Sequence, residues 1–213
     1  MRRAVPRTTA LVGAGLAVAL AGCLYAAAGA ASSGGEDGGG GGDGGEPPGP
    51  GSATVRTMSA AAVVDSAVRP QAPALEGADL DGKPVGLAEF RGQVVVLNVW
   101  GSWCGPCRAE ADDLERLSGQ TRAQGVRFLG INTRDRDRAT ARSFVRAHGL
   151  GFPSLHDPTG ELLLRFPPAL LNPQTIPSTL VIDRRGRIAV SIGGAVTEEE
   201  LSPLLTRVAQ ETS

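Results

Sequence analysis

The hydrophobic positions of this chain fall into two signatures, continuous apolar runs and runs with helical spacing. Residues 94–99, Val-Val-Val-Leu-Asn-Val, form a nearly unbroken β-branched run, the pattern of a strand covered on both faces. Residues 108–124 place Ala111, Leu114 and Leu117 at i, i+3, i+6 and predict an amphipathic helix. The short apolar run at 126–131 reads as a parallel strand following that helix, and 136–148 as a second helix with Ala139, Phe144 and Val145 turned inward and Gly149 stopping it. Residues 152–175 are proline-rich and irregular, with a short helix at 161–165. The runs 179–182 and 188–192 flank Asp183-Arg184-Arg185-Gly186 and predict a hairpin. Thr197, with Glu200 three residues on, is a capping box opening a last helix that ends near 210. Ahead of all these, 75–87 predicts a hairpin turning at Asp81-Gly82, and 87–92 leads into the buried strand. Strands before and after crossover helices predict an α/β domain with a mixed central sheet flanked by helices on both faces.

The first third of the chain has neither signature in a form that builds a core. Arg2, Arg3 and Arg7 precede an apolar run at 10–21, too short for a comfortable membrane span of roughly 20 residues. The run ends in Leu20-Ala21-Gly22-Cys23, which resembles the bacterial lipobox and implies a signal peptide over 1–22 with acylation of Cys23. The surrounding pattern of a twin-arginine export signal is absent. Residues 29–52 are Gly, Ser and Pro with a few acids and predict a flexible tether, with a reach of roughly 25–30 Å. Residues 53–68 fit either a short helix or more linker, and Pro70 and Pro73 an extended entry. The expected organisation is therefore signal peptide 1–22, lipid-anchored cysteine and linker 23–70, and folded domain 71–213 on the extracytoplasmic face of the cell membrane.

Composition narrows the chemistry. A net charge of −1 gives no support to polycationic nucleic-acid binding, and 41% hydrophobic residues is ordinary for a globular domain. Of the three cysteines, Cys23 belongs to the export segment, leaving Cys104 and Cys107 as the one pair in the folded part. A disulfide-stapled scaffold needs more pairs, so this pair is either catalytic or a metal half-site. It sits where the buried strand hands over to a helix N-terminus. Free N–H groups and the helix dipole favour negative charge there, so the Cys104 thiol should ionise more easily than a free cysteine.

A CxxC pair alone is a moderate signal. Here Trp103-Cys104-Gly105-Pro106-Cys107, with a strand before and a helix after it, resembles the thioredoxin fold. Together with Gly82-Lys83, Leu87, Phe90-Arg91-Gly92 and Leu97-Asn98-Val99-Trp100 it resembles the TlpA/ResA-like branch, over about residues 73–210. The resemblance implies a thioredoxin core with an added N-terminal hairpin and a central insertion, acting as an extracytoplasmic, membrane-tethered thiol-disulfide oxidoreductase. Cys104, at the exposed helix start, is expected to attack a substrate disulfide and Cys107 to resolve the mixed disulfide. Trp103 is expected to shape the rim and Trp100 to pack in the core. Pro177 matches the family's cis proline, which would leave the backbone of Ile176 open to an extended substrate and keep metals from the thiolates. Thioredoxin carries a buried Asp in its central strand where this chain has Asn98, which cannot take a proton. Glu110, three residues beyond Cys107, is the expected substitute, accepting the proton of Cys107 during resolution. Asp112 and Asp113 read as surface acids, and His148 and His156 receive no role.

The resemblance further implies a protein-disulfide reductase without cofactor, drawing electrons from a membrane thiol-disulfide donor. Its substrates would be oxidised exported proteins or apocytochrome c, and a monomer is expected. A disulfide-forming oxidant on the same fold is the alternative; Gly-Pro between the cysteines leans towards reduction, as in thioredoxin. Copper delivery would need a third ligand, and neither histidine is well placed. Zinc would need a second pair. A peroxiredoxin, loosely similar in its N-terminal half, would need a threonine and a proline motif that 98–103 does not contain.

Overall fold

The computed structural model describes residues 55–58 and 61–211. The expected signal peptide, Cys23 and the Gly-rich tether lie outside the described residues. Among the described residues nine strands are formed: β1 Val55–Met58, β2 Ala61–Val64, β3 Glu76–Ala78, β4 Pro84–Gly86, β5 Val94–Trp100, β6 Val126–Thr133, β7 Ser154–Asp157, β8 Ser178–Ile182 and β9 Ile188–Gly193. Three α-helices accompany them: α1 Gly105–Thr121, α2 Arg138–Ala147 and α3 Glu198–Gln210. Seven strands make one sheet in the order β1-β2-β9-β8-β5-β6-β7, and β3 and β4 pair separately as the hairpin.

All seven residues of β5 are buried, as its apolar run requires of a central strand. It pairs in parallel with β6 and antiparallel with β8, and β6 pairs in parallel with β7, so the sheet is mixed. Alternation along β5 separates two cores. Val94 and Val96 face Leu114 and Leu117 of α1 and Leu201, Leu205 and Val208 of α3. Val95, Leu97 and Val99 face the hairpin residues Leu75 and Val85 and the inserted segment through Leu163, Phe166 and Leu171. Short 3-10 helices at Leu87–Phe90 and Leu163–Arg165 lie on this second face. Phe144 and Ala141 of α2 join Trp100, Cys107 and Ala111 in a third cluster.

Four expectations are corrected. The domain does not begin at residue 71: β2 pairs antiparallel with β9, Val63 opposite Val190, and extends the sheet into residues expected to be linker. Ala-Ala-Val-Val is too short a run to declare itself, and β9, which joins it to the rest of the sheet, lies more than a hundred residues away. The 152–175 stretch contains a strand, β7, hidden because Ser-Leu-His-Asp carries no apolar run. Its helix is confined to Leu163–Arg165. In α2 the inward residues are Ala141 and Phe144, with Val145 half-buried and Ala139 exposed. Asp137 caps that helix by accepting the Ala139 N–H at 2.7 Å, which holds Ala139 in the solvent-facing first turn. Finally α1 starts at Gly105 and gives way at Arg122–Gln124 to a 3-10 turn closed by Gly125 at φ 77°.

Candidate active site

Cys104 is the N-cap of α1, with extended backbone (φ −88°, ψ 112°), and Pro106 stands in the first turn. The Cys107 N–H donates to Cys104 Sγ at 3.1 Å. The sulfur thus occupies the acceptor place that a Ser or Asp side chain takes at an ordinary N-cap, where an N–H donor and the helix dipole both stabilise a thiolate. The two cysteines are joined in a disulfide. In this oxidised state Cys104 is buried at 3% exposure, against the expectation of an exposed helix start, and Cys107 at 1%. Ile176 is the cause on one side, its carbonyl oxygen lying 3.8 Å from Cys104 Sγ. The peptide bond between Ile176 and Pro177 is cis.

Trp103 stands 51% exposed beside the disulfide. Its indole lies over Gly101, where a Cβ would come within 2.5 Å of Nε1, so any larger residue at this position would displace the indole. The indole N–H donates to the Thr133 carbonyl at 3.3 Å. Trp100, in contrast, is core: 2% exposed, stacked on Phe144 at 4.6 Å, its N–H donated to Ser154 Oγ. The turn between them is anchored by Asp135, which accepts the Ser102 N–H at 2.8 Å, the Ser102 hydroxyl at 2.6 Å and the Asn132 amide at 2.6 Å. Arg108 donates to the Ser102 carbonyl at 2.7 Å. Neither Asp135 nor Ser102 stands out in the sequence; only the register of β5 against β6 brings them together.

Glu110 lies on α1 one turn beyond Cys107 and is 2% exposed. One carboxylate oxygen accepts from Asn98 Nδ2 at 2.8 Å and the other from the Val196 N–H at 3.0 Å. Asn98 Nδ2 also donates to Thr179 Oγ1 at 3.1 Å, two residues past Pro177. Burial pushes the Glu110 carboxyl up to about 7, and the hydrogen bonds from Asn98 and Val196 hold it from rising further. A carboxyl poised there can give or take a proton near neutrality.

Cys104, Cys107, Trp103, Ile176 and Pro177 therefore converge on one end of the sheet, with Glu110 buried on the same helix. The histidines stand apart from the dithiol in their contacts: His148 pairs with the exposed Asp112 at 2.9 Å, and His156 contacts Asn132 at 3.2 Å. Asp113 caps α3 by accepting the Glu198 N–H at 3.0 Å.

Comparison with known proteins follows the same lines. Residues 68–191 match the AhpC/TSA family. The chain is 31% identical over 138 residues, 65% of its own length and 76% of the relative's, to thiol-disulfide oxidoreductase ResA of Bacillus thuringiensis subsp. konkukian. Among solved structures, a secreted thiol-disulfide isomerase from Corynebacterium glutamicum is 34% identical at a TM-score of 0.63, over 75% of this chain and 100% of that one. A secreted Mycobacterium tuberculosis disulfide oxidoreductase homologous to E. coli DsbE is 27% identical at a TM-score of 0.55, over 62% of this chain and 95% of that one. The shared architecture is the thioredoxin-like fold.

Proposed function

The chain belongs to the AhpC/TSA family and, within it, is a ResA-like thiol-disulfide oxidoreductase, and from that premise we propose that it reduces disulfides of exported proteins at the outer face of the cell membrane. The observation that carries the reading is the Cys104–Cys107 pair at the start of α1, with the Ile176 carbonyl beside it and the neutral-range carboxyl of Glu110 one turn deeper. The reduced pair attacks with the Cys104 thiolate. One substrate sulfur bonds to Cys104 and the other leaves as a thiolate. Cys107 then loses its proton to Glu110 and attacks the Cys104 sulfur, re-forming the intramolecular disulfide and releasing the second substrate thiol. Two electrons pass to the substrate, and a membrane thiol-disulfide partner restores them. Trp103, Ile176 and Pro177 form the face the substrate meets.

Acylation at Cys23 would hold the domain at the membrane, with the Gly-rich stretch 29–52 as tether. Apocytochrome c, whose haem-attachment cysteines must be reduced, is the substrate to try first. The chain needs no cofactor for this cycle and acts as a monomer.

Titrating the full-length chain against glutathione and dithiothreitol buffers tests the direction of flow. A potential below roughly −230 mV places it with the reducing members of the fold, near thioredoxin at about −270 mV. A potential above roughly −150 mV, approaching DsbA at about −120 mV, overturns the reductase reading in favour of a disulfide-forming oxidant.

A further inference from the structure

The loop leaving β6 is fastened to the turn that presents the disulfide, and it is rich in arginine. Asp135 holds Ser102, and the carbonyl of Thr133 holds the Trp103 indole. Arg134, Arg136 and Arg138 flank these two contacts, and Arg108 reaches the same turn from α1 through the Ser102 carbonyl. All four arginines are exposed. Among the described residues none of the four is ion-paired. The acids of the same region are fewer at the surface. Asp135 and Asp157 are buried, their oxygens accepting from Ser102 and Asn132 and from the N–H groups of Glu161 and Leu162. Asp137, which caps α2, and Glu161 are exposed, so four exposed guanidinium groups stand against two exposed carboxylates.

Arg134 ties this basic segment to the other side of the site. Its backbone is left-handed at φ 59°, a conformation that a residue with a side chain rarely adopts. The Asp157 carbonyl holds it there by accepting its N–H at 3.1 Å, and its guanidinium donates to the Pro173 carbonyl at 2.8 Å, three residues before Ile176. The arginines, the exposed Trp103 face and the Ile176 backbone therefore belong to one continuous rim.

We propose that this rim selects its substrates, favouring disulfides that lie in extended segments with acidic residues next to the cysteines. The indole supplies an apolar platform and the guanidinium groups pair with carboxylates on either side of it. The inference names the substrate class of the exchange activity proposed above and rests on it.

Three peptides, each closed by one disulfide and differing only in flanking Glu-Glu, Ser-Ser or Lys-Lys, test it against the reduced full-length chain. At about 0.01 M salt, where the screening length is about 30 Å, the Glu-flanked peptide is expected to react about tenfold faster than the Lys-flanked one. At about 1 M salt, with a screening length of about 3 Å, the ratio is expected to fall towards one. In R136E/R138E the order of the two peptides should reverse. Equal rates at low salt, or a ratio that R136E/R138E leaves unchanged, would overturn the rim as selector. Hydroxyethyl disulfide, small and uncharged, separates the two claims. If it is reduced while the peptides are not distinguished, only the rim fails; if neither it nor any peptide is reduced, the exchange activity fails with it. The salt series needs no variant and stands even if R136E/R138E does not fold.

Discussion

Asn98 and Glu110 are joined by a 2.8 Å hydrogen bond from the middle of β5 to the second turn of α1. The strand position that carries an acid in thioredoxin here carries an amide, and the amide grips an acid supplied by the helix. In the role proposed for Glu110, proton handling moves from sheet to helix, and the strand orients the group through the Asn98 amide.

Glu110 makes stability depend on pH in a definite direction. Its folded value near 7 lies above the ordinary carboxyl value of 4.5, so the folded state holds a proton that the unfolded chain has released. The group's contribution is complete below about 4.5 and is lost as pH rises through 7, by up to about 3 kcal/mol. Glu110→Gln should flatten the urea midpoint between these limits. A variant whose midpoint follows the wild-type slope would show that another group is responsible. Disulfide exchange by the same variant should slow by about 10²-fold near neutrality.

Removing the Asn98 amide should move the same ionisation upward. The Asn98 hydrogen bond favours the charged carboxylate and holds its pKa down. Asn98→Ala should therefore shift the midpoint of the pH–rate profile above 7 by about one unit, the worth of a hydrogen bond to a charged group. An unmoved midpoint would mean that Glu110 does not govern that profile.

How far such relationships could be read from sequence depends on how local they are. β5, β6 and the β8–β9 hairpin announce themselves as apolar runs between turn residues, and α3 by its capping box. The CxxC pair, Pro177 and the spacing of Glu110 from Cys107 are equally local. β7 was not legible because a four-residue strand with buried Ser154 and Asp157 has no hydrophobic period; those polar groups are satisfied by Trp100 and by the N–H groups of Glu161 and Leu162. The Asn98–Thr179 and Ser102–Asp135 contacts were not legible because each depends on the register of strands distant in sequence. The phase of α2 slipped because its first turn is fixed by the Asp137 cap, which apolar spacing does not report.

The order of attack is open to direct capture. Cys107→Ser with an oxidised substrate should accumulate a mixed disulfide that mass spectrometry maps to Cys104, and Cys104→Ser should not. An adduct on Cys23, or one that forms equally in both variants, would contradict the assigned roles.

Arg69 should be the costliest charged residue to remove. Its side chain is 1% exposed and pairs with Asp183 at 3.2 Å and with Glu211 at 2.8 Å. Burial would raise the Asp183 carboxyl, yet the N–H and guanidinium of Arg187, together with Arg69, hold it below its ordinary value. That contribution is present above the ordinary carboxylate range and is lost as pH falls through the depressed value. Arg69→Ala should cost about 3–5 kcal/mol in a denaturant titration and raise the pH of acid unfolding. A loss within the range of an exposed pair, under about 1 kcal/mol, would show that the cluster relaxes into water.

The same cluster has a mechanical meaning. Val55 lies opposite Val64, so a pull on the chain ahead of Val55 opens β1 from β2 as a zip, one pair at a time. Behind that hairpin stands Arg69, riveted at once to the β8–β9 turn through Asp183 and to the C-terminal end through Glu211. Load that peels the first strands meets three separate stretches of backbone acting together. If the proposed anchor at Cys23 holds the domain by its N-terminus, the hairpin would serve as a shock absorber and Arg69 as its stop.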